Sequence, residues 1–141
     1  MHISGEFTTP GSGTALAALA DRTDDLKAVA TLNDVSTGPD GSVHALFSPV
    51  TPFGRLELRT RIRAERADAA GAVLTVHAVR AQHAIDVRIE LGFVPVEGGS
   101  RVTWSADLTL RGPAASVGQR VAREVAGRAI AEVLQGAAAL A

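Results

Sequence analysis

The sequence predicts an α+β domain in which a curved, seven-stranded antiparallel sheet wraps one long C-terminal helix. Three observations carry this expectation. Most of the chain after Thr31 alternates polar and apolar residues, the period of half-buried strands. Two short helical signals follow the first strand. The last thirty or so residues carry a helical pattern behind a Gly-Pro start.

His2 to Thr8 alternates, with Ile3, Gly5 and Phe7 on one face, and is read as a strand. Thr9-Pro10 reads as an N-cap followed by proline at the first helical position. A helix through Leu16, Leu19 and Ala20 follows, weakened by Gly11 and Gly13. Thr23, Asp24 and Asp25 open a second short helix reaching Val29, with carboxylates where the helix dipole favours them. Six strands are then expected, at Thr31–Thr37, Ser42–Pro49, Arg55–Ala64, Ala72–Arg80, His83–Val94 and Arg101–Leu110. Turn chemistry separates them at Gly38-Pro39-Asp40-Gly41, Thr51-Pro52-Phe53-Gly54, Asp68-Ala69-Ala70-Gly71 and Glu97-Gly98-Gly99. The turn near Ala81-Gln82 has no such signal. It is placed there because one strand from Ala72 to Val94 would far exceed the usual length. Gly112-Pro113 starts the long helix, which runs to about Leu140. One of its faces carries Ala114, Gly118, Val121, Ala122, Val125, Ala129 and Val133.

Bulk properties narrow the function. The 141 residues suit a single domain, residues 1–141, and 46% apolar with 21% charged residues is globular rather than disordered composition. A net charge of −1 argues against duplex nucleic acid as a partner, because such binders displace counterions with many uncompensated cations. The absence of cysteine excludes disulfides and thiolate metal sites. No apolar run resembles a signal peptide or reaches the length of a membrane span, so a cytoplasmic protein is expected.

Catalytic signatures are missing. His2, His44, His77 and His83 show no zinc spacing, although His77 and His83 can meet across adjoining strands. There is no Gly-x-Ser-x-Gly elbow, and Gly11-Ser12-Gly13 lacks the end of a phosphate loop. Asp86 and Glu90 alternate with Ile85, Val87, Ile89 and Leu91, which turns them to solvent. Arg55, Arg59, Arg61 and Arg63 share one strand face, with Arg66 beyond. They read as a solvated face, or else as a docking surface for an acidic partner or anionic lipid. No catalytic and no metal-ligating residue is expected.

The order of elements is the helix-grip pattern, and particular segments resemble a known family. Met1-His2-Ile3-Ser4-Gly5-Glu6-Phe7, Thr51-Pro52-Phe53-Gly54-Arg55-Leu56, Gly99 through Asp107 and Gly112 through Leu134 resemble the G-subunit family of carbon monoxide dehydrogenase. That family lies in the START-like superfamily of lipid-transport proteins and polyketide cyclases. The resemblance implies an accessory protein of a molybdenum-containing dehydrogenase. Its implied tasks are maturation, membrane recruitment at the inner membrane face, or handling of a quinone-like ligand. START-like relatives hold an apolar molecule between sheet and helix.

A pocket of about 300 Å³ or more is therefore expected there, holding a quinone or lipid and no other cofactor. Leu58, Ile62, Val76, Trp104, Leu108, Val121 and Val125 are its expected lining. Trp104, the sole indole, is the candidate platform for a flat ring. The alternatives are an interaction or assembly subunit with a solid core, and a cyclase-like enzyme.

Overall fold

The computed structural model describes residues 1–51, 54–112 and 119–141. Strand β1 (His2–Thr9) leads through helix α1 (Gly13–Ala18) and two 3₁₀ segments (Leu19–Asp21 and Thr23–Ala28) into β2 (Leu32–Thr37) and β3 (Val43–Phe47). A two-residue pair, β4 (Val50–Thr51) and β5 (Gly54–Arg55), precedes four long strands. These are β6 (Leu58–Asp68), β7 (Gly71–Arg80), β8 (His83–Val96) and β9 (Gly99–Arg111). Helix α2 (Gln119–Ala138) follows. The main sheet has the order β1-β9-β8-β7-β6-β3-β2, and every adjacent pair is antiparallel. This is the expected helix-grip architecture.

Local chemistry explains most boundaries. Asp68 accepts hydrogen bonds from the Ala70 and Gly71 amides at 2.9 and 3.1 Å, which closes the β6–β7 turn. Asp40 does the same in the β2–β3 turn, accepting from the Ser42 amide at 3.1 Å and from the Ser42 hydroxyl. Those bonds hold the Asp40 carboxyl below its usual range. Gly41 and Gly98 take φ of +81° at the turns where glycine is expected.

Several boundaries differ from the sequence reading. Thr9 ends β1 and its hydroxyl donates to the Ala138 carbonyl at 3.5 Å rather than capping α1; Ser12 is the N-cap of α1 and accepts from the Ala15 amide at 3.1 Å. The second helix is 3₁₀ throughout, from Thr23 to Ala28. Strand β6 begins at Leu58, not Arg55, because Arg55 pairs with Val50 in the small β4–β5 ribbon. A bulge at Glu65 then shifts the register against β7, so that Ala64 faces Leu74 and Ala67 faces Ala72. Helix α2 ends at Ala138. Its expected start at Pro113, with Ala114 and Gly118, lies outside the described residues, as do Pro52 and Phe53 of the expected turn.

Twenty residues of α2 give a rod of about 30 Å along the sheet's inner face. It is tied at several points. Arg123 donates to the His2 carbonyl at 2.8 Å, and Arg22 donates to the Leu140 carbonyl at 3.3 Å. Near its end, a methyl of Val29 would lie 3.3 Å from a Cβ placed on Gly136, so helix and 3₁₀ segment pack closely there.

The buried core falls into three separate clusters rather than one. Ile3, Ile89, Trp104, Ala106, Leu108 and Leu134 form the first. The second gathers Leu16, Ala72, Phe93, Val102 and Ala138 under α1. The third gathers Val29, Leu32, Val35, Val43 and Ala45 at the β2 edge.

Candidate functional site

Strand alternation decides which side chains face the helix. On β7 the inner set is Ala72, Leu74, Val76 and Ala78; on β8 it is Ile85, Val87, Ile89, Leu91 and Phe93. A packed core would bury all of them. Ala72, Ala78, Ile89 and Phe93 are buried, but Leu74, Val76, Ile85, Val87 and Leu91 are only half-buried. Ile62 on β6 and Val125, Ile130 and Val133 on α2 are half-buried too. Space therefore remains where the curved sheet stands off the straight helix.

That space forms two cavities among the described residues. One, of about 150 Å³, lies beneath the C-terminal end of α2 and is bordered by Phe7, Leu16, Leu26, Leu91, Phe93 and Ala137. Its rim includes Thr23 and Gly41. The other, of about 180 Å³, lies against the middle of α2 and is bordered by Leu58, Val76, Val87, Val125, Ala126 and Ala129. Leu32, Ile62, Leu74, Val133 and Leu134 border both. Neither alone reaches the 300 Å³ expected from the sequence.

The lining is hydrocarbon almost throughout. No Asp, Glu, His, Lys or Arg borders either cavity among the described residues. Thr60 borders the second, but its hydroxyl donates its one proton to the Leu58 carbonyl at 3.0 Å, and no polar atom is exposed on the cavity wall. A polar group pushed into that chamber would lose water and gain no partner.

Of the seven expected lining residues, Leu58, Ile62, Val76 and Val125 stand together around the second cavity. Trp104 and Leu108 face inward but border neither cavity. They are buried in the first core cluster. Trp104 pairs with Gly5 across β1 and β9, and its indole lies where a Gly5 Cβ would be, 2.7 Å away. The ring thus fills the hollow left by the missing side chain and faces neither of the two cavities. Val121 is exposed. Each four-residue step on a helix overshoots a full turn by about 40°, so a stripe extended back from Ala129 through Val125 leaves the buried face at Val121. The expected lining omits Leu74 and Val133. Leu74 follows from Val76 by strand parity, and Val133 belongs to the apolar helix stripe that the sequence itself displays.

The ion-paired groups of β6 to β8 lie on the other face of the sheet. His77 and Asp86 pair at 2.6 Å, and Asp86 also takes Arg111. His83 sits opposite Arg80 at the hairpin end and does not meet His77. Arg88 pairs with Glu65 at 2.8 Å, and Arg66 with Asp68 at 3.6 Å. Among the described residues, Arg59, Arg61 and Arg63 enter no ion pair. No three His, Cys, Asp or Glu side chains among the described residues gather as a metal site requires. No described helix is long and apolar enough to cross a membrane.

Comparison with known proteins agrees with this architecture. A family model described as the G subunit of carbon monoxide dehydrogenase (CoxG) matches residues 27–140. No curated protein matches the sequence. Among solved structures, a conserved protein from Geobacillus kaustophilus superimposes with a TM-score of 0.80 at 13% identity, covering 98% of this chain and 93% of its own. A START superfamily protein from Mycobacterium smegmatis gives 0.65 at 10% identity, over 96% and 92%. A protein from Thermus thermophilus gives 0.65 at 12% identity, over 98% and 94%. At such identities these likenesses speak for the fold.

Proposed function

The chain belongs to the CoxG family, that of the carbon monoxide dehydrogenase G subunit, and on that premise we propose that it is a non-catalytic carrier of a hydrophobic small molecule, quinone- or lipid-like. In this reading the molecule lies between sheet and α2, and the protein serves a molybdenum-containing dehydrogenase of the carbon monoxide dehydrogenase type. It works in the cytoplasm, with peripheral contact at the inner membrane face where an apolar ligand is collected.

The observation that carries the reading is the half-burial of Leu74, Val76, Val87 and Leu91 on a sheet face that is roofed by a helix. An interaction subunit with a solid core has no use for that space. A cyclase-like enzyme needs convergent polar groups in its pocket, and the cavity linings offer none among the described residues. What remains is shape and hydrocarbon, which is the chemistry of a container.

Native mass spectrometry of the purified chain, before and after solvent extraction, tests this. The expected result is a fraction of heavier protein that extraction removes, together with rebinding of a short-chain quinone or neutral lipid by the extracted protein. Extracted protein that takes up neither class would refute the carrier reading.

A further inference from the structure

The two cavities share five bordering side chains: Ile62 and Leu74 from the sheet, Val133 and Leu134 from α2, and Leu32 at the start of β2. We infer that they are two chambers of one site joined at this waist, and that the site takes a neutral chain lipid with a single small polar end. The inference deepens the carrier reading and rests on it.

Size is the first argument. A cavity of about 150 Å³ suits a molecule no larger than a single benzene ring. The two chambers together border α2 from Val125 to Ala138, about 20 Å of helix. That is the length of an extended hydrocarbon chain rather than of a ring.

Polarity sets the orientation. The inner chamber, against the middle of α2, exposes no polar atom on its wall to a ligand. The outer chamber reaches a rim with Thr23 and Gly41. There the Thr23 hydroxyl shares an exposed hydrogen bond of 2.9 Å with the Thr37 hydroxyl. A small polar head is solvated at that rim while the chain passes the waist and fills the inner chamber.

Charge sets the class. No cation among the described residues borders either chamber. At the rim a carboxylate or phosphate head would give up part of its water with no cation on the border to compensate, a larger cost than for a neutral head, so the site prefers a neutral head over a fatty acid of equal length. The waist is built wholly of branched aliphatic side chains, which suit a hydrocarbon chain.

The test uses n-alkanols from octanol to hexadecanol, and hexadecanoate, competing with a fluorescent apolar probe on the solvent-extracted protein. Ala126 borders only the inner chamber and Ala137 only the outer one. Ala126→Phe and Ala137→Phe should each weaken hexadecanol by about tenfold or more while octanol stays within about threefold. Hexadecanoate should bind the unmodified protein about tenfold or more below hexadecanol. Should either variant melt early, Ala126→Leu and Ala137→Leu replace them, with the same ordering expected. If one variant abolishes every alcohol and the other changes nothing, the ligand occupies one chamber; the inference then fails while the carrier reading stands. Hexadecanoate binding as tightly as hexadecanol overturns the neutral class. If the unmodified protein binds no alcohol and no quinone, the carrier reading falls, and the inference with it.

Discussion

Ala81 takes φ of +51° at the first corner of the β7–β8 hairpin, whose closing pair is Arg80 and His83. Left-handed backbone disfavours a Cβ, and hairpins of this kind ordinarily place glycine there. This is why the turn carries no sequence signal and is located only from strand length. Ala81→Gly should stabilise the protein by about 1 kcal/mol, less a few tenths for the freer unfolded chain, read as a raised urea midpoint at unchanged slope. Gly5 is the opposite case. A methyl group there would lie 2.7 Å from the Trp104 ring, so Gly5→Ala should destabilise by about 1–3 kcal/mol in the same assay. The pairing of a small residue with the indole is visible in the sequence only as two separate facts. Register across β1 and β9 joins them, and register is set by long-range contacts.

Strands are the most legible elements, because alternation writes their inner face directly into the sequence. Strand β6 shows the limit. Alternation runs on from Arg55 through Glu57 into Leu58, yet the chain there turns through the β4–β5 ribbon before β6 begins. At the other end, Ala64-Glu65-Arg66-Ala67 gives no hint of the bulge that brings both alanines to the cavity side. The arginine stripe survives on β6 as Arg59, Arg61 and Arg63, shortened by the loss of Arg55. With Arg61 set between His44 and His77 in neighbouring strands, it groups three outer-face cations that enter no ion pair among the described residues. Charge reversal at Arg59 and Arg61 should weaken association with an acidic partner surface and flatten its salt dependence, measured by titration at several ionic strengths. The melting temperature should barely change, since exposed charges contribute little to stability.

Across the whole molecule, the proposed carrier role couples stability to loading. A ligand that binds only the folded chain adds about 2.7 kcal/mol at a hundredfold excess over its dissociation constant. Solvent-extracted protein should therefore melt several degrees below reloaded protein in a calorimetric scan. The candidate site is half legible in the sequence. Periodicity places Leu58, Ile62, Val76 and Val125, whereas the division into two chambers depends on how far the sheet bends away from α2. No residue pattern encodes that distance by itself.

With no tyrosine in the chain, Trp104 is its one strong near-ultraviolet chromophore. The indole is wedged over Gly5 at 6% exposure and borders neither chamber. Its emission should be that of a dry indole whether the protein is empty or full of a saturated lipid. Fluorescence at long wavelength then reads unfolding alone, so the melting of loaded and empty protein can be followed in one cuvette without optical interference from the cargo.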